Sequence, residues 1–369
     1  MSEKPVILFE SYPDFNGSAL AVYEELVRRG YDKKYDLVWA VYSDFNLKTD
    51  YKIVKFFNCN STEKQSILKR TKCIIDSNRY IFKHQANNAF RFHVRHGCCL
   101  KNSKGYNQGI GAVDGILTTS EQMLVLDKQI FPQGISNKFI ITGMPSNDKI
   151  FHPKDLYAGL IQELTGTDKK FDKIIGWLPT FRDHRFTHFG KNRFQFGLPA
   201  LHSLDEYNKL NDTLKNNNNL LIIQMHHAQA KNYTQQPIVS NIKIVNEPIK
   251  LKYGLSTIDL LGNSDALLTD YSAAYHEYVI LNRPIGLCIE DLPQYAKNNG
   301  FPPNYNYLDW IKGDYLLEVN DICLWINDIT NGIDKHKIER EQSLNRIHKY
   351  KDDKATERVV NYILEQSKI

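Results

Sequence analysis

The stretch LLTDYSAAYHEYVILNRPIGL, residues 267–287, decides the fold of this chain more than any other. An apolar run ends at Thr269-Asp270-Tyr271-Ser272, a helical pattern follows over residues 275–281, and Arg283-Pro284 leads into a second apolar run. This pattern predicts a strand, a tight turn, a helix and another strand. Hydroxyls and N–H groups at such a turn lie at a helix N-terminus, where partial positive charge suits a phosphate. The alternative is an ordinary helix cap made by Ser272.

Length and charge limit the class of protein. The chain has 369 residues, which favours two domains over one. Its 42% apolar and 24% charged content is ordinary for a globular protein. The net charge of +5 permits acidic partners, such as phosphorylated substrates or an anionic membrane surface. No dense basic stripe occurs, so we expect no nucleic-acid partner.

Cysteine usage and hydropathy indicate the compartment. The six cysteines show no C-x-x-C spacing, which argues against zinc ribbons and redox motifs and favours free thiols in a reducing compartment. The N-terminal apolar run, residues 6–9, ends at Glu10 and is too short for a signal peptide. No window reaches the run of about 18 apolar residues that a membrane span needs. A cytoplasmic location is expected.

Short apolar runs recur along the chain, separated by helix-length segments. Runs that do not alternate with polar residues are typical of parallel strands covered on both faces. The predicted strands are 6–9, 37–41, 73–76, 115–118, 139–142, 173–178, 220–224, 242–245, 266–269 and 285–289. A polar segment, residues 150–172, separates the two sets. We therefore predict an α/β fold of two doubly wound Rossmann-type domains, residues 1–155 and 170–330, followed by a helical segment, residues 334–369.

Ligands of doubly wound sheets bind beyond the carboxyl ends of strands, so polar residues there are candidates for a site. His96 stands beside Gly97 at one such end and could act as a general base, because imidazole titrates near neutral pH. The alternative is an ordinary hydrogen-bonded histidine. Arg182 follows another strand end and could form a bidentate contact to phosphate, with Asp183 or Thr180 holding it in place. The alternative is a surface Arg–Asp pair.

Other templates give weaker or negative indications. His226 and His227 end a strand, but adjacent strand residues point to opposite faces and no partner stands at helical spacing, so a metal site is not favoured. The glycines near residue 109 have the wrong spacing for a dinucleotide fingerprint. No P-loop, G-x-S-x-G elbow or D-x-D motif occurs, and the last absence argues against metal-dependent glycosyltransferases. We expect neither a cofactor nor a metal.

Taken in chain order, the segments resemble the CDP-glycerol glycerophosphotransferase family, the primases and polymerases of wall teichoic acid and related polyol-phosphate capsules. The family motif W-H-G-x-P-L-K is matched by residues 95–101, T-G-Y-P-R-N-D by residues 142–148, and A-P-T-[FW]-R-D by residues 178–183. The motif H-P at a strand end is matched by residues 226–227, and T-D-Y-S-S…D…L-x-R-P by residues 269–284. Each motif alone is weak, but five in the right order are specific.

The resemblance implies a GT-B-like pair of Rossmann domains facing a central cleft, with the donor held mainly by the second. It implies His96 as the base that deprotonates an acceptor hydroxyl. It implies that Arg182, His226 and the turn of Asp270, Tyr271 and Ser272 hold the donor diphosphate. Lys101 and Thr180 are further candidates for binding the substrate. The expected reaction transfers glycerol phosphate from CDP-glycerol to a lipid-linked or polymeric acceptor, with release of CMP and no metal. Peripheral contact with the inner face of the membrane is expected from such an acceptor.

Several residues depart from the family pattern. Arg95 replaces Trp, Cys98-Cys99 replace the pair after the glycine, Ser146 replaces Arg, Ala273 replaces Ser and Glu277 replaces Asp. These changes leave open a donor such as CDP-ribitol or another CDP-polyol. Two further alternatives are a metal-independent GT-B glycosyltransferase that uses a nucleotide sugar and a non-catalytic nucleotide-binding or scaffold protein.

Overall fold

The computed structural model describes residues 3–41, 50–56, 61–78, 86, 88–98, 101–102, 110–180, 196–225, 237–298, 300–303 and 305–369. The chain divides into two compact units. Unit 1 comprises Met1–Cys98, Ser103–Asp148 and Ile347–Ile369, and unit 2 comprises Cys99–Asn102 and Lys149–Arg346. Each unit is built on one sheet, with helices in the connections between its strands.

The described part of unit 1 contains a seven-stranded sheet in the order β3-β2-β1-β4-β5-β6-β7. Its strands are β1 (Val6–Glu10), β2 (Asp36–Val41), β3 (Lys52–Lys55), β4 (Thr71–Asp76), β5 (Phe90–His93), β6 (Gly115–Thr118) and β7 (Phe139–Ile141). Every pairing is parallel. The strand order reverses between β1 and β4, as in doubly wound nucleotide-binding sheets.

Helices of unit 1 cover this sheet and include the end of the chain. They are α1 (Gly17–Arg28), α2 (Thr62–Arg70) and α3 (Glu121–Ile130), together with the terminal helix α13 (Ala355–Ser367). Helix α13 packs against α1. The carboxylate of Asp148 accepts the N–H groups of Ala355 and Thr356 at 2.9 and 2.7 Å, which caps the start of α13. Thus Asp148, the last residue of the 142–148 motif, holds the terminal helix on unit 1.

The described part of unit 2 repeats the same strand order in a six-stranded sheet, β10-β9-β8-β11-β12-β13. Its strands are β8 (Lys173–Trp177), β9 (Asn219–Gln224), β10 (Ile242–Val245), β11 (Ala266–Thr269), β12 (Ile285–Cys288) and β13 (Asp314–Leu316). All of its pairings are parallel. The reversal now falls between β8 and β11, so their carboxyl ends flank the position where such folds bind ligands.

The helices of unit 2 connect these strands and complete its core. They are α4 (Leu160–Thr165), α5 (Leu204–Asn216), α6 (Glu247–Lys252), α7 (Thr257–Asn263), α8 (Ala274–Tyr278), α9 (Leu292–Asn298), α10 (Tyr307–Trp310), α11 (Val319–Thr330) and α12 (Lys337–Ile347). Helices α5 and α11 pack together, and their apolar faces join the buried residues Trp177, Leu221 and Leu268 in one core. Apolar burial of this kind is the main force holding a sheet and its helices together. The core therefore fixes the strands whose ends carry the candidate site.

The prediction of two doubly wound α/β sheets is confirmed. All ten predicted strands exist, and residues 115–118, 242–245 and 266–269 have the predicted bounds. Strands β3, β5 and β13 were not among the predicted apolar runs. Strands β3 and β13 lie at sheet edges, where exposed residues such as Ile53 and Tyr315 interrupt the apolar pattern. Among the described residues, no helix has the length and apolar character required to span a membrane.

Candidate functional site

The centre of the candidate site is the turn that follows β11, in the stretch singled out by the sequence. Asp270 is buried, and its carboxylate accepts backbone hydrogen bonds from two segments. The N–H of Thr180 donates to Oδ1 and Oδ2 at 2.8 and 3.0 Å, and the N–H of Ser272 donates to Oδ1 at 3.1 Å. Bonds to an ionised acceptor are stronger than neutral ones. Asp270 therefore joins the carboxyl ends of β8 and β11 at the point where the strand order reverses.

Two further hydrogen bonds extend this junction. The N–H of Leu178 donates to the carbonyl oxygen of Leu268 at 3.0 Å, and the hydroxyl of Thr269 donates to the carbonyl oxygen of Leu178 at 2.9 Å. Thr180 follows two residues later and is buried. Thus the predicted residues Thr180, Asp270 and Ser272 lie together, although ninety positions separate the first two.

Tyr271 points into the core of unit 2. Its hydroxyl donates to Oδ1 of Asp291 at 2.9 Å, and its ring stacks on Tyr295 with centroids 3.8 Å apart. The hydroxyl of Tyr307 donates to the carbonyl oxygen of Asp270 at 2.9 Å. Aromatic side chains thus pack against the turn, and the Tyr271 hydroxyl makes its hydrogen bond inside unit 2.

Ser272 and Glu277 lie on the more open side of the same segment, and both are half-buried. The Ser272 hydroxyl oxygen accepts the N–H of Ala274 at 3.4 Å. Helix α8 has five residues and continues as a 3-10 turn, Val279–Leu281, so its dipole is small. Burial raises the pKa of Glu277 to about 7, which places a protonated carboxyl within reach of neutral pH.

His96 belongs to unit 1 and Lys101 to unit 2. His96 follows β5 and is exposed, whereas the residues just before it are buried. Lys101 is half-buried, and the adjacent Asn102 donates its N–H to the carbonyl oxygen of Gly300 at 3.4 Å. An imidazole can accept a proton and an ammonium can donate hydrogen bonds to a phosphate, so both residue types suit the predicted roles.

Two of the predicted site residues, Arg182 and His226, lie outside the described residues. Their roles stay predictions. Over the stretches of chain that the structure describes, no three His, Cys, Asp or Glu side chains converge in a way that could hold a metal ion.

Several residues that support the site carry no recognisable local signal. Asp291, Tyr295 and Tyr307 stand 20 to 37 positions from the residues of the turn that they contact or support. In the sequence alone, aromatic residues such as these indicate only a hydrophobic core, so their contacts with this turn become visible only in the fold. Arg95, which departs from the family motif, is buried and paired with Asp127 beside His96.

Comparison with known proteins identifies the family of this chain. The model of the family described as CDP-Glycerol:Poly(glycerophosphate) glycerophosphotransferase matches residues 1–365. The chain is 27% identical over 267 residues to the teichoic acid glycerol-phosphate primase of Bacillus subtilis, covering 70% of this chain and 60% of that protein. It is 26% identical over 275 residues to the teichoic acid poly(ribitol-phosphate) polymerase of Bacillus spizizenii, covering 72% of this chain and 38% of that protein.

Structural similarity extends over more of the chain than the sequence similarity does. The wall teichoic acid polymerase TagF superimposes with a TM-score of 0.76 at 20% identity, covering 99% of this chain and 89% of that chain. The predicted GT-B-like class of fold, with two Rossmann-like domains, is thereby confirmed. The chain spans about 60% of the length of the B. subtilis primase and less of the ribitol-phosphate polymerase. The family model covers nearly the whole sequence, and the chain belongs to the CDP-glycerol:poly(glycerophosphate) glycerophosphotransferase family.

Proposed function

We propose that this protein transfers glycerol phosphate from CDP-glycerol to a hydroxyl group of a lipid-linked or polymeric acceptor of the teichoic-acid or capsular type, with release of CMP. The observation that carries the proposal is the junction between Thr180 and Asp270 at the strand reversal of unit 2. Doubly wound sheets bind nucleotides at this position, and the residues there belong to two family motifs. TagF, which shares the fold, has also been studied after a soak with CDPG.

The proposed chemistry needs a base, an in-line geometry and positive or hydrogen-bonding groups around the phosphates. The acceptor hydroxyl oxygen bonds to the β-phosphorus of the donor. The bond from that phosphorus to the bridging oxygen breaks, CMP leaves with the bridging oxygen, and the hydroxyl proton passes to His96. Phosphoryl transfer is accelerated mainly by positioning and by stabilisation of charge on the phosphoryl oxygens.

Each residue of the site has a part in this proposal. His96 is the general base, since it is exposed at a strand end and imidazole titrates near neutral pH. Ser272, Lys101, Arg182 and His226 bind the diphosphate. Asp270, which accepts N–H groups from both strand ends, holds the loops that present these ligands.

Glu277 adds a pH-sensitive group at the edge of the turn. Below pH 7 its carboxyl is protonated, because burial raises its pKa to about 7. The neutral form can donate a hydrogen bond to a donor hydroxyl or phosphate oxygen, whereas the ionised form would repel the diphosphate.

A lipid-linked acceptor would bring the enzyme to the inner face of the membrane. The net charge of +5 is compatible with an anionic surface, and attraction of this kind weakens as salt increases. We therefore propose peripheral contact during turnover. Binding to anionic vesicles at low and high salt would test this part of the proposal alone.

A second donor is supported by the comparisons. Relatives with similar identity include a poly(ribitol-phosphate) polymerase and a ribitol-phosphate primase of Bacillus spizizenii, at 26% and 25%. Ribitol phosphate would undergo the same attack at the β-phosphorus, and only the contacts to the polyol would differ. CDP-ribitol is therefore the runner-up donor.

A panel of donors tests these proposals. Thermal unfolding would be measured with CDP-glycerol, CDP-ribitol, UDP-sugars and CMP-sialic acid. A ligand present at 100 times its Kd stabilises the folded state by about 2.7 kcal/mol, which raises the Tm of a domain of this size by roughly 5–10 °C. We expect this shift with CDP-glycerol. Preference for a UDP-sugar would favour a glycosyltransferase, and binding of CDP-glycerol without turnover would favour a non-catalytic protein.

A further inference from the structure

The turn that presents His96 is fixed first to β4. Strand β5 ends at His93, whose Nδ1 lies 2.6 Å from Oδ1 of Asp76, the last residue of β4. The N–H of Val94 donates to the carbonyl oxygen of Asp76 at 2.8 Å. All three residues are buried. The chain therefore reaches Val94 in a fixed position.

Arg95 then fixes the turn to the other side of unit 1. Its Nη1 donates to Oδ2 of Asp127, in α3, at 2.8 Å, and the hydroxyl of Thr118 donates to the same oxygen at 2.6 Å. The guanidinium also lies over the ring of Phe131, 5.0 Å from its centroid, which is a cation–π geometry. The side chains of Arg95 and Asp127 are 5% and 1% exposed. This is a buried ion pair inside unit 1, made through Oδ2 of Asp127.

The backbone at Arg95 is in an uncommon conformation. Its φ is +56°, in the left-handed region that side chains other than those of glycine, asparagine and aspartate rarely adopt. Such conformations persist where surrounding contacts hold them, and they cluster at functional sites. The next residue, His96, is exposed although residues 92–95 are buried. The left-handed residue thus turns His96 outward while its own side chain stays in the core.

We propose that Arg95, through its buried pair with Asp127, is a positioning residue that sets where the imidazole of His96 lies. The proposal rests on the proposed function, in which His96 is the general base. A buried ion pair contributes little net stability compared with apolar residues of similar volume, because both charges lose their water. The bond from Nη1 to Oδ2, together with the contact of the guanidinium to the Phe131 ring, nevertheless fixes where the Arg95 side chain lies. A role in positioning His96 explains why a buried arginine stands where the family motif has tryptophan.

The test is the variant Asp127→Asn in the full chain. It keeps the shape of the side chain but removes the charge that orients Arg95. Displacement of a catalytic group by about 1 Å can lower a rate by about 100-fold, so we expect kcat for CMP release to fall by that order while KM for CDP-glycerol stays unchanged. Arg95→Lys keeps the charge and one donor, and we expect it to retain more activity than Asp127→Asn.

Asp334→Asn is the matched control. It neutralises the partner of Arg340, another buried arginine, whose two terminal nitrogens donate to Asp334 at 2.8 and 2.6 Å in unit 2. We expect it to lower the Tm without changing kcat. Backbone hydrogen exchange at residues 94–97 should accelerate in Asp127→Asn and not in Asp334→Asn, and this readout needs no activity.

A double variant that carries both Asp127→Asn and His96→Ala separates the positioning role of Arg95 from the proposed function. If Arg95 acts through His96, then Asp127→Asn causes no further loss in the His96→Ala background. A multiplicative loss there, or a kcat in Asp127→Asn equal to that of Asp334→Asn, would overturn the positioning role and leave the proposed function intact. Full activity in His96→Ala alone would overturn the assignment of the base instead. A Tm loss in Asp127→Asn with unchanged kcat would mean a purely structural pair.

Discussion

The junction made by Asp270 gives a prediction whose magnitude follows from its contacts. In Asp270→Asn, the N–H groups of Thr180 and Ser272 lose an ionised acceptor and face an amide. Hydrogen bonds to charged groups contribute about 1.5–3 kcal/mol and neutral ones about 0.5–1.5 kcal/mol, so two weakened bonds cost roughly 2–3 kcal/mol. For a domain of this size, that corresponds to a fall in Tm of about 4–12 °C. Because the two strand ends separate, we expect donor affinity to fall by about tenfold or more, a change of at least ~1.4 kcal/mol.

Asp265 provides an internal control for this experiment. It precedes the opposite end of β11, where its Oδ2 accepts the N–H of Ile174 at 2.8 Å. Asp265→Asn weakens one bond of the same kind and should lower the Tm by less, with no change in the affinity for CDP-glycerol. The assays are thermal unfolding and calorimetric titration with CDP-glycerol. Asp270 does not hold the donor site together if Asp270→Asn binds CDP-glycerol as tightly as the unmodified chain, or if both variants lose affinity for CDP-glycerol equally.

Two further predictions concern neighbouring residues. Tyr271→Phe removes the hydroxyl that donates a hydrogen bond to the buried Asp291. We expect the free energy of unfolding, measured in urea, to fall by about 1–3 kcal/mol, with the affinity for CDP-glycerol unchanged. Weaker binding of CDP-glycerol at unchanged stability would mean that the hydroxyl contacts this substrate. Glu277 has a pKa of about 7 in the folded state and about 4.5 when unfolded, so between these values the folded state binds more protons and stability falls as pH rises. In Glu277→Gln the urea midpoint between pH 5 and pH 8 should change less than in the unmodified chain, and an equal change in both would contradict the burial of this carboxyl.

Much of the fold could be read from the sequence because parallel strands are buried on both faces. Runs such as those at residues 220–224 and 266–269 are apolar throughout, which leaves no alternation to obscure them. Strand β5 was not among the predicted runs because Arg91 and His93 alternate with phenylalanines. The buried His93 is tolerated since Asp76 binds it, and that partner comes from another strand.

The candidate site could be predicted less completely. Strand ends identified Thr180 and Asp270, because carboxyl ends of parallel strands meet at one edge of a sheet. No local pattern indicates that the Asp270 carboxylate accepts hydrogen bonds from backbone N–H groups, or that the Tyr271 hydroxyl donates to Asp291. These contacts depend on the positions of segments 20 to 90 residues apart, which local patterns do not encode.

The central claim is transfer of glycerol phosphate with His96 as the base. The most direct measurement incubates the full chain with CDP-glycerol labelled in glycerol and a lipid-linked acceptor, and quantifies labelled product and CMP together. The proposal predicts equal amounts of both, dependence on acceptor, and a kcat lower by about 10²–10⁴-fold in His96→Ala, as for loss of a general base. Near-full activity in His96→Ala, or CMP release without labelled product in the presence of acceptor, would contradict it.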